Sequence, residues 1–204
     1  MTANKIRAAA LRLFAQFGYE ATPLSEIAKA VGIKTPSLYA HFNSKEQLFL
    51  AVFEDLLQEQ LTRIRGLEQL LGNMSIEERL YTILQDASQS YLLGEEGITF
   101  LKRAMLFPPA ALQSELRARF AVSEAALSSI LANIFTEGMR NGSIRQQRSE
   151  DLLASFYCLL DGAFIQQFYY ARADFEQRLQ SIWRIYWQGI KASGGTDNRK
   201  ATGV

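Results

Sequence analysis

Between positions 34 and 45 the chain gathers Lys34, Thr35, Ser37, Tyr39, His41 and Lys45. Ammonium, imidazole and hydroxyl groups at this density are donors looking for an anion. They suit phosphate oxygens, and the smaller ones suit base edges as well. Thr22 lies a little upstream and adds one more hydroxyl of the same use. Bond-making chemistry, in contrast, lacks its parts. His41 and Cys158 are the only histidine and cysteine in 204 residues, which rules out a multi-histidine zinc site, a four-thiolate site and an internal disulfide. No nucleophile elbow, phosphate-cradling glycine loop or metal-ligand spacing occurs. Neither a metal nor a cofactor is expected; a pair of carboxylates, or Cys158 meeting His41, is the enzymatic route left open.

Helices must position those donors. Ile6, Ala9, Ala10, Leu13, Phe14 and Phe17 share one helical face, and Gly18 follows where a helix would stop. Thr22 and Pro23 read as an N-cap and first-turn proline, opening a short helix with core face Leu24, Ile27, Ala28 and Val31 and a stop at Gly32. Thr35 and Pro36 repeat that opening. Leu38, Tyr39 and Phe42 continue the pattern until Asn43 and Ser44 stop it and cap a helix through Leu48, Val52 and Leu56. Three helices of about 15, 8 and 7 residues, bent at Gly32, match the helix-turn-helix plan, whose third helix leads into a major groove about 12 Å wide.

Further helices are expected over 75–93, 97–107, 112–141, 149–171 and 174–192, the second ending at Pro108-Pro109 and the third at Asn141-Gly142. The sum is about nine helices and no sheet, an all-α protein. The stretch 193–204 offers no apolar anchor and is expected to be a mobile tail. Apolar residues make up 48% of the chain and charged ones 21%, which excludes wholesale disorder and fibrous architectures. Net charge is only +1, yet residues 1–50 hold six cations against three anions. That sign suits an anion-binding N-terminal module on a nearly neutral body. No run approaches the length of a membrane span, and Lys5, Arg7 and Arg12 break the apolar stretch that a signal peptide needs. A soluble, reduced, cytoplasmic protein without a membrane partner is expected.

Three segments carry a resemblance. Gly18-Tyr19-Glu20-Ala21-Thr22, then Ile27-Ala28-Lys29-Ala30-Val31-Gly32-Ile33, then Leu38-Tyr39-Ala40-His41-Phe42-Asn43-Ser44-Lys45-Glu46-Gln47-Leu48 resemble, in order and spacing, the DNA-binding domain of the TetR family of transcriptional regulators. The resemblance implies a homodimer with an N-terminal three-helix helix-turn-helix DNA-binding domain over 1–48. A larger helical effector-binding and dimerisation domain would follow over 49–192. It implies a regulator, most often a repressor, that leaves a pseudo-palindromic operator when a small molecule binds. By position it sets Thr22, Lys34, Thr35, Ser37, Tyr39, His41 and Lys45 against DNA. Two positions depart from it: Pro23 stands where a second threonine is usual, and Pro36 where a small residue or glycine is common.

The last two expected helices are apolar on more than one side. Leu152, Phe156, Leu160, Phe164 and Phe168 form an i,i+4 ladder, and Leu179, Ile182, Trp183, Ile185, Tyr186, Trp187 and Ile190 crowd the final helix. A helix apolar nearly all round needs partners on two sides. Phe156, Leu160, Phe164, Phe168, Leu179, Ile182, Trp183 and Tyr186 are therefore expected at the interface of a homodimer, as the four-helix bundle that the resemblance implies. A monomer with two central core helices is the alternative. For a hydrophobic small-molecule effector the expected lining is Tyr81, Tyr91, Phe100, Met105, Phe107, Phe135, Phe164 and Phe168, aromatic or adaptable enough to wall an apolar cavity. Cys158 reads as buried packing. Two rival functions stand beside the regulator: an enzyme built on carboxylates, and a helical interaction protein whose head no longer binds DNA.

Overall fold

The computed structural model describes residues 2–88 and 94–192. Among these the chain forms nine α-helices: α1 (Thr2–Phe17), α2 (Leu24–Val31), α3 (Thr35–Tyr39), α4 (Lys45–Leu70), α5 (Ile76–Ser88), α6 (Gly94–Leu106), α7 (Gln113–Arg140), α8 (Ser149–Gln166) and α9 (Arg172–Ile190). The sole extended pairing among them is one isolated bridge between Ile144 and Lys191. The all-α expectation holds. The end of the helix expected over 75–93 and the tail from 193 lie outside the described residues.

Local chemistry explains the boundaries, with two corrections at the caps. Pro23, not Thr22, is the N-cap of α2, and Lys34, not Thr35, is the N-cap of α3. Neither cap makes a side-chain bond, because proline and lysine side chains carry no acceptor for a backbone N–H. At the far end of α2, Gly32 takes φ +76° and its N–H reaches the Lys29 carbonyl at 3.0 Å. That left-handed conformation costs a side-chain-bearing residue energy that glycine avoids. Helix α3 has five residues, since the Leu38 carbonyl is taken by the His41 and Phe42 N–H groups as the chain turns. Ser44 then caps α4 by accepting the Gln47 N–H at 3.1 Å, while Gln47 accepts the Asn43 N–H in return. Helix α8 stops short of the expected residue 171. The Phe168 N–H reaches back only to Ile165 and the Tyr169 N–H to Gln166, tightening the chain into a turn.

The chain divides into two compact units, one of described residues up to 72 and from 94 to 129, the other of 73–88 and 130–192. In the first, the α1 stripe of Ile6, Ala9, Ala10 and Phe14 packs with Leu24, Ile27 and Ala28 of α2, Leu38 of α3 and Leu48, Phe49, Val52 and Phe53 of α4. Phe100, Leu101 and Ala104 of α6 enter the same core. Four rings knit it: Phe14 lies 5.1 Å from Phe49 and 6.4 Å from Phe100, and Tyr19 lies 5.1 Å from Phe49. Arg103 of α6 donates to the Gln16 carbonyl at 3.3 Å, satisfying one of the orphan acceptors at the end of α1.

In the second unit α8 and α9 run antiparallel. Ser155 and Tyr186 share a hydrogen bond at 3.2 Å at one end, and Arg178 donates to Gln166 at 3.2 Å at the other. Phe156 meets Phe135 of α7 at 6.0 Å, and Trp183 meets Tyr81 of α5 at 5.4 Å. Arg79 of α5 and Glu137 of α7 pair at 2.7 Å.

Candidate nucleic-acid interface

Helix α3 is attached by one side only. Leu38 is completely buried and Phe42, just beyond the helix, nearly so. With the inward position occupied by leucine, 3.6-residue periodicity turns the neighbouring positions outward. Lys34, Ser37, Tyr39, Ala40 and His41 are exposed, Tyr39 to 50%, and Thr35 is half-buried. Among the described residues, the side chains of Lys34, Ser37, Tyr39 and His41 have no hydrogen-bond or ionic partner. The structure thus presents an ammonium, two hydroxyls and an imidazole on one edge, all uncommitted.

Lys45 is held differently. Its Nζ lies 4.3 Å from the centre of the Tyr19 ring and donates to the Glu20 carbonyl at 3.3 Å. The Tyr19 hydroxyl in turn donates to Glu46 at 2.8 Å. Burial, then the bond to Glu46, pushes the Tyr19 phenol above its ordinary pKa. The Glu46 carboxyl is held below its ordinary pKa by its own backbone N–H first and the Tyr19 hydroxyl second. A lowered carboxylate pKa adds stability that is present at neutral pH and lost as pH falls through the lowered value. Tyr19 and Glu46 were absent from the sequence-based set. The adjacency of an aromatic and a cation across the α1–α2 turn and the α4 start is visible only once the helices are docked.

Thr22 requires a correction. It is 1% exposed, and its hydroxyl donates to the Gly18 carbonyl at 2.7 Å and lies 3.2 Å from the Leu13 carbonyl. It ties the turn after α1 and has nothing left for a phosphate. Thr22→Val is expected to cost about 1–3 kcal/mol by stranding a buried acceptor, read as a lower urea midpoint. The folded variant should keep the wild-type salt slope of DNA binding, whereas loss of a phosphate ligand would reduce that slope by about 1.

The residues expected around an effector are divided between the two units. Phe100 belongs to the ring cluster of the first unit at 1% exposure, and Phe135 is fully buried against Phe156. Both are core. Phe107 is 79% exposed. Tyr81 packs on Trp183, and Phe164 meets Phe168 edge-on at 5.6 Å. Tyr91 lies outside the described residues. Met105 lines a cavity of about 220 Å³ in the first unit, with Phe53, Ala104, Leu106, Pro108, Gln113, Leu116, Arg117 and Phe120.

The residues expected at a dimer face divide into a buried and an open half. Phe156, Leu160, Leu179 and Trp183 are buried within the single chain and leave little surface for a partner. Phe164, Ile182 and Tyr186 are partly covered and Phe168 is exposed. The outward side of α8 instead carries Ala154, Cys158 and Asp161 with half-buried Ile165, and that of α9 carries Ser181, Ile185 and Gln188. Cys158 is exposed rather than packed, because it sits two residues from Phe156 and faces away from it. Among the described residues no helix is long and apolar enough to cross a membrane, and no three metal-ligating side chains gather.

Residues 6–52 match the family model described as bacterial regulatory proteins, tetR family. The fatty acid metabolism regulator protein of Bacillus subtilis (strain 168) is 26% identical over 140 residues, 68% of each chain. The HTH-type transcriptional repressor ComR of Escherichia coli (strain K12) is 53% identical over 45 residues, 22% of this chain and 21% of its own. Among solved structures, the transcriptional regulator FadR from Bacillus subtilis in complex with stearoyl-CoA superposes with a TM-score of 0.69 at 21% identity, covering 92% of this chain and 98% of that one. At that identity the likeness speaks for the fold.

Proposed function

We propose that the chain is a regulator of the TetR family, matched over its reading head, that binds a pseudo-palindromic operator as a homodimer, represses from it, and leaves it when a small hydrophobic effector binds. Like its relatives it is a DNA-binding transcriptional regulator and not an enzyme. The observation that carries the reading is the uncommitted edge of α3, where Lys34, Ser37, Tyr39 and His41 face solvent while Leu38 anchors the helix. Lys34 and His41 donate to phosphates, Ser37 and the Tyr39 hydroxyl to phosphate or base edge, and Ala40 offers a methyl to thymine. Lys45, steadied on the Tyr19 ring, keeps donors for a phosphate beside the groove. Thr35, half-buried, serves as a flanking contact.

The homodimer is supported by the outward face of α8 and α9, where Ala154, Cys158 and Ile185 leave apolar surface without a partner in the chain. Two-fold symmetry would set two reading helices about 34–36 Å apart, or a multiple, on an inverted repeat. A hydrophobic effector accords with the relative whose structure holds stearoyl-CoA. The test is fluorescence anisotropy with the inverted repeats that flank the protein's own gene. Preference over scrambled DNA by about 10³ or more is expected, and equal binding of every duplex overturns the proposal.

A further inference from the structure

We infer that the cavity framed by α4, α6 and α7 in the first unit is a binding site for a small amphiphile with an anionic head, the class of a medium-chain carboxylate. Its lining is mixed, the apolar part supplied by Phe53, Ala104, Leu106, Pro108 and Phe120. Two polar side chains break that lining, Gln113 and Arg117. They stand four residues apart on α7 and so on one face of the helix. An apolar bowl with polar groups on one wall sorts a ligand by polarity along its length.

The sign of the head follows from the local charges. Arg119 is already paired with Glu54 at 3.0 Å and with Glu115 at 2.9 Å. Those two carboxylates are thereby spent, and Glu54 is held below its ordinary pKa by the bond from Gln58 and then by Arg119. Arg117 is exposed and has no carboxylate partner among the described residues. Its guanidinium fork fits a carboxylate in two parallel bonds, and Gln113 can add a donor. The neutral or cationic head of an otherwise equal ligand would leave that fork unused.

Size follows from volume. At about 30 Å³ for a water-sized group, 220 Å³ holds roughly seven such groups. That suits a chain of about eight carbons with the head outside, and it is below the roughly 300 Å³ where drug-sized guests begin. Met105 and Leu106, 41% and 51% exposed, give the mouth flexible apolar lips. The neighbouring Arg103 grips the end of α1 through the Gln16 carbonyl. Helix α6 therefore touches both the ligand and the first helix of the reading head. Release of DNA through that contact rests on the regulator proposed above; binding does not.

The experiment is calorimetric titration of the whole protein with octanoate, octan-1-ol and octylammonium, repeated with Arg117→Gln and Leu106→Trp. Octanoate should bind about tenfold or more tighter than the other two, the difference of a charged hydrogen bond. Arg117→Gln should erase that preference while leaving octan-1-ol unchanged, and Leu106→Trp should fill the cavity and weaken all three. Leu106 is half-exposed, so its replacement spares the core. Equal affinity for the three, octanoate binding indifferent to either substitution, or no binding at all overturns the site. A parallel operator titration keeps the two claims apart: octanoate that binds without releasing DNA removes the release mechanism, while intact operator binding with no octanoate binding removes only the site.

Discussion

Phe14→Ala should unfold the first unit more readily than any substitution on the reading edge. Phe14 is 1% exposed and contacts Tyr19, Phe49 and Phe100 at ring separations of 6.0, 5.1 and 6.4 Å. Truncation removes the ring's transfer free energy and leaves a cavity that the rings of Tyr19, Phe49 and Phe100 cannot easily refill, at a cost of about 3–5 kcal/mol. Mesophilic domains hold only about 5–15 kcal/mol in total. Chemical denaturation should show a midpoint lowered by a large fraction of its wild-type value, and DNA binding should fail with it. A midpoint moved by less than the equivalent of about 1 kcal/mol would mean that the ring cluster is not the centre of this unit's core.

Ile185→Arg should turn the proposed dimer into a monomer of 23.0 kDa. Ile185 is 66% exposed on the outward side of α9, and in an isologous interface both copies are covered at once. Each unpaired guanidinium buried there costs several kcal/mol, and two copies together weaken dimerisation by roughly 10⁴-fold or more. Sedimentation velocity reads the result directly. Leu179→Ala supplies the contrast. Leu179 is 5% exposed within its own chain, so its truncation should lower folding stability by about 2–5 kcal/mol and leave the association state alone. A variant Ile185→Arg that remains dimeric would place the interface elsewhere.

The reading head was legible because several local rules agree there. Gly32, the prolines and the spacing of Leu24, Ile27, Ala28 and Leu38 all specify short helices with one buried side, and Ser44 caps the longer helix after them; an exposed edge follows from periodicity alone. Thr22 was misjudged for a physical reason. A hydroxyl near a helix start can cap it, reach outward, or bond back to the preceding turn, and only the packed turn decides. The faces of α8 and α9 were illegible for the opposite reason. With apolar residues nearly all round, periodicity cannot tell the side packed on α5 and α7 from the side left open, and the buried ladder of Phe156 and Leu160 was assigned outward. Aromatic type alone also fails to separate core from cavity. Phe100 and Phe135 are core, while the polar pair on the cavity wall, Gln113 and Arg117, drew no notice in a sequence where arginine on a helix ordinarily means solvent.

The exposed edge of α3 is proposed to hold DNA through its own side chains. Its most direct test is the salt dependence of operator affinity for the wild type and for Tyr39→Ala/His41→Ala, each checked for an unchanged denaturation midpoint. The wild type should weaken linearly on a log–log plot, with a slope of about −0.9 per neutralised phosphate. The double variant should bind at least about tenfold more weakly at equal salt. Operator binding that ignores salt, or a stable double variant with wild-type affinity, would contradict the account.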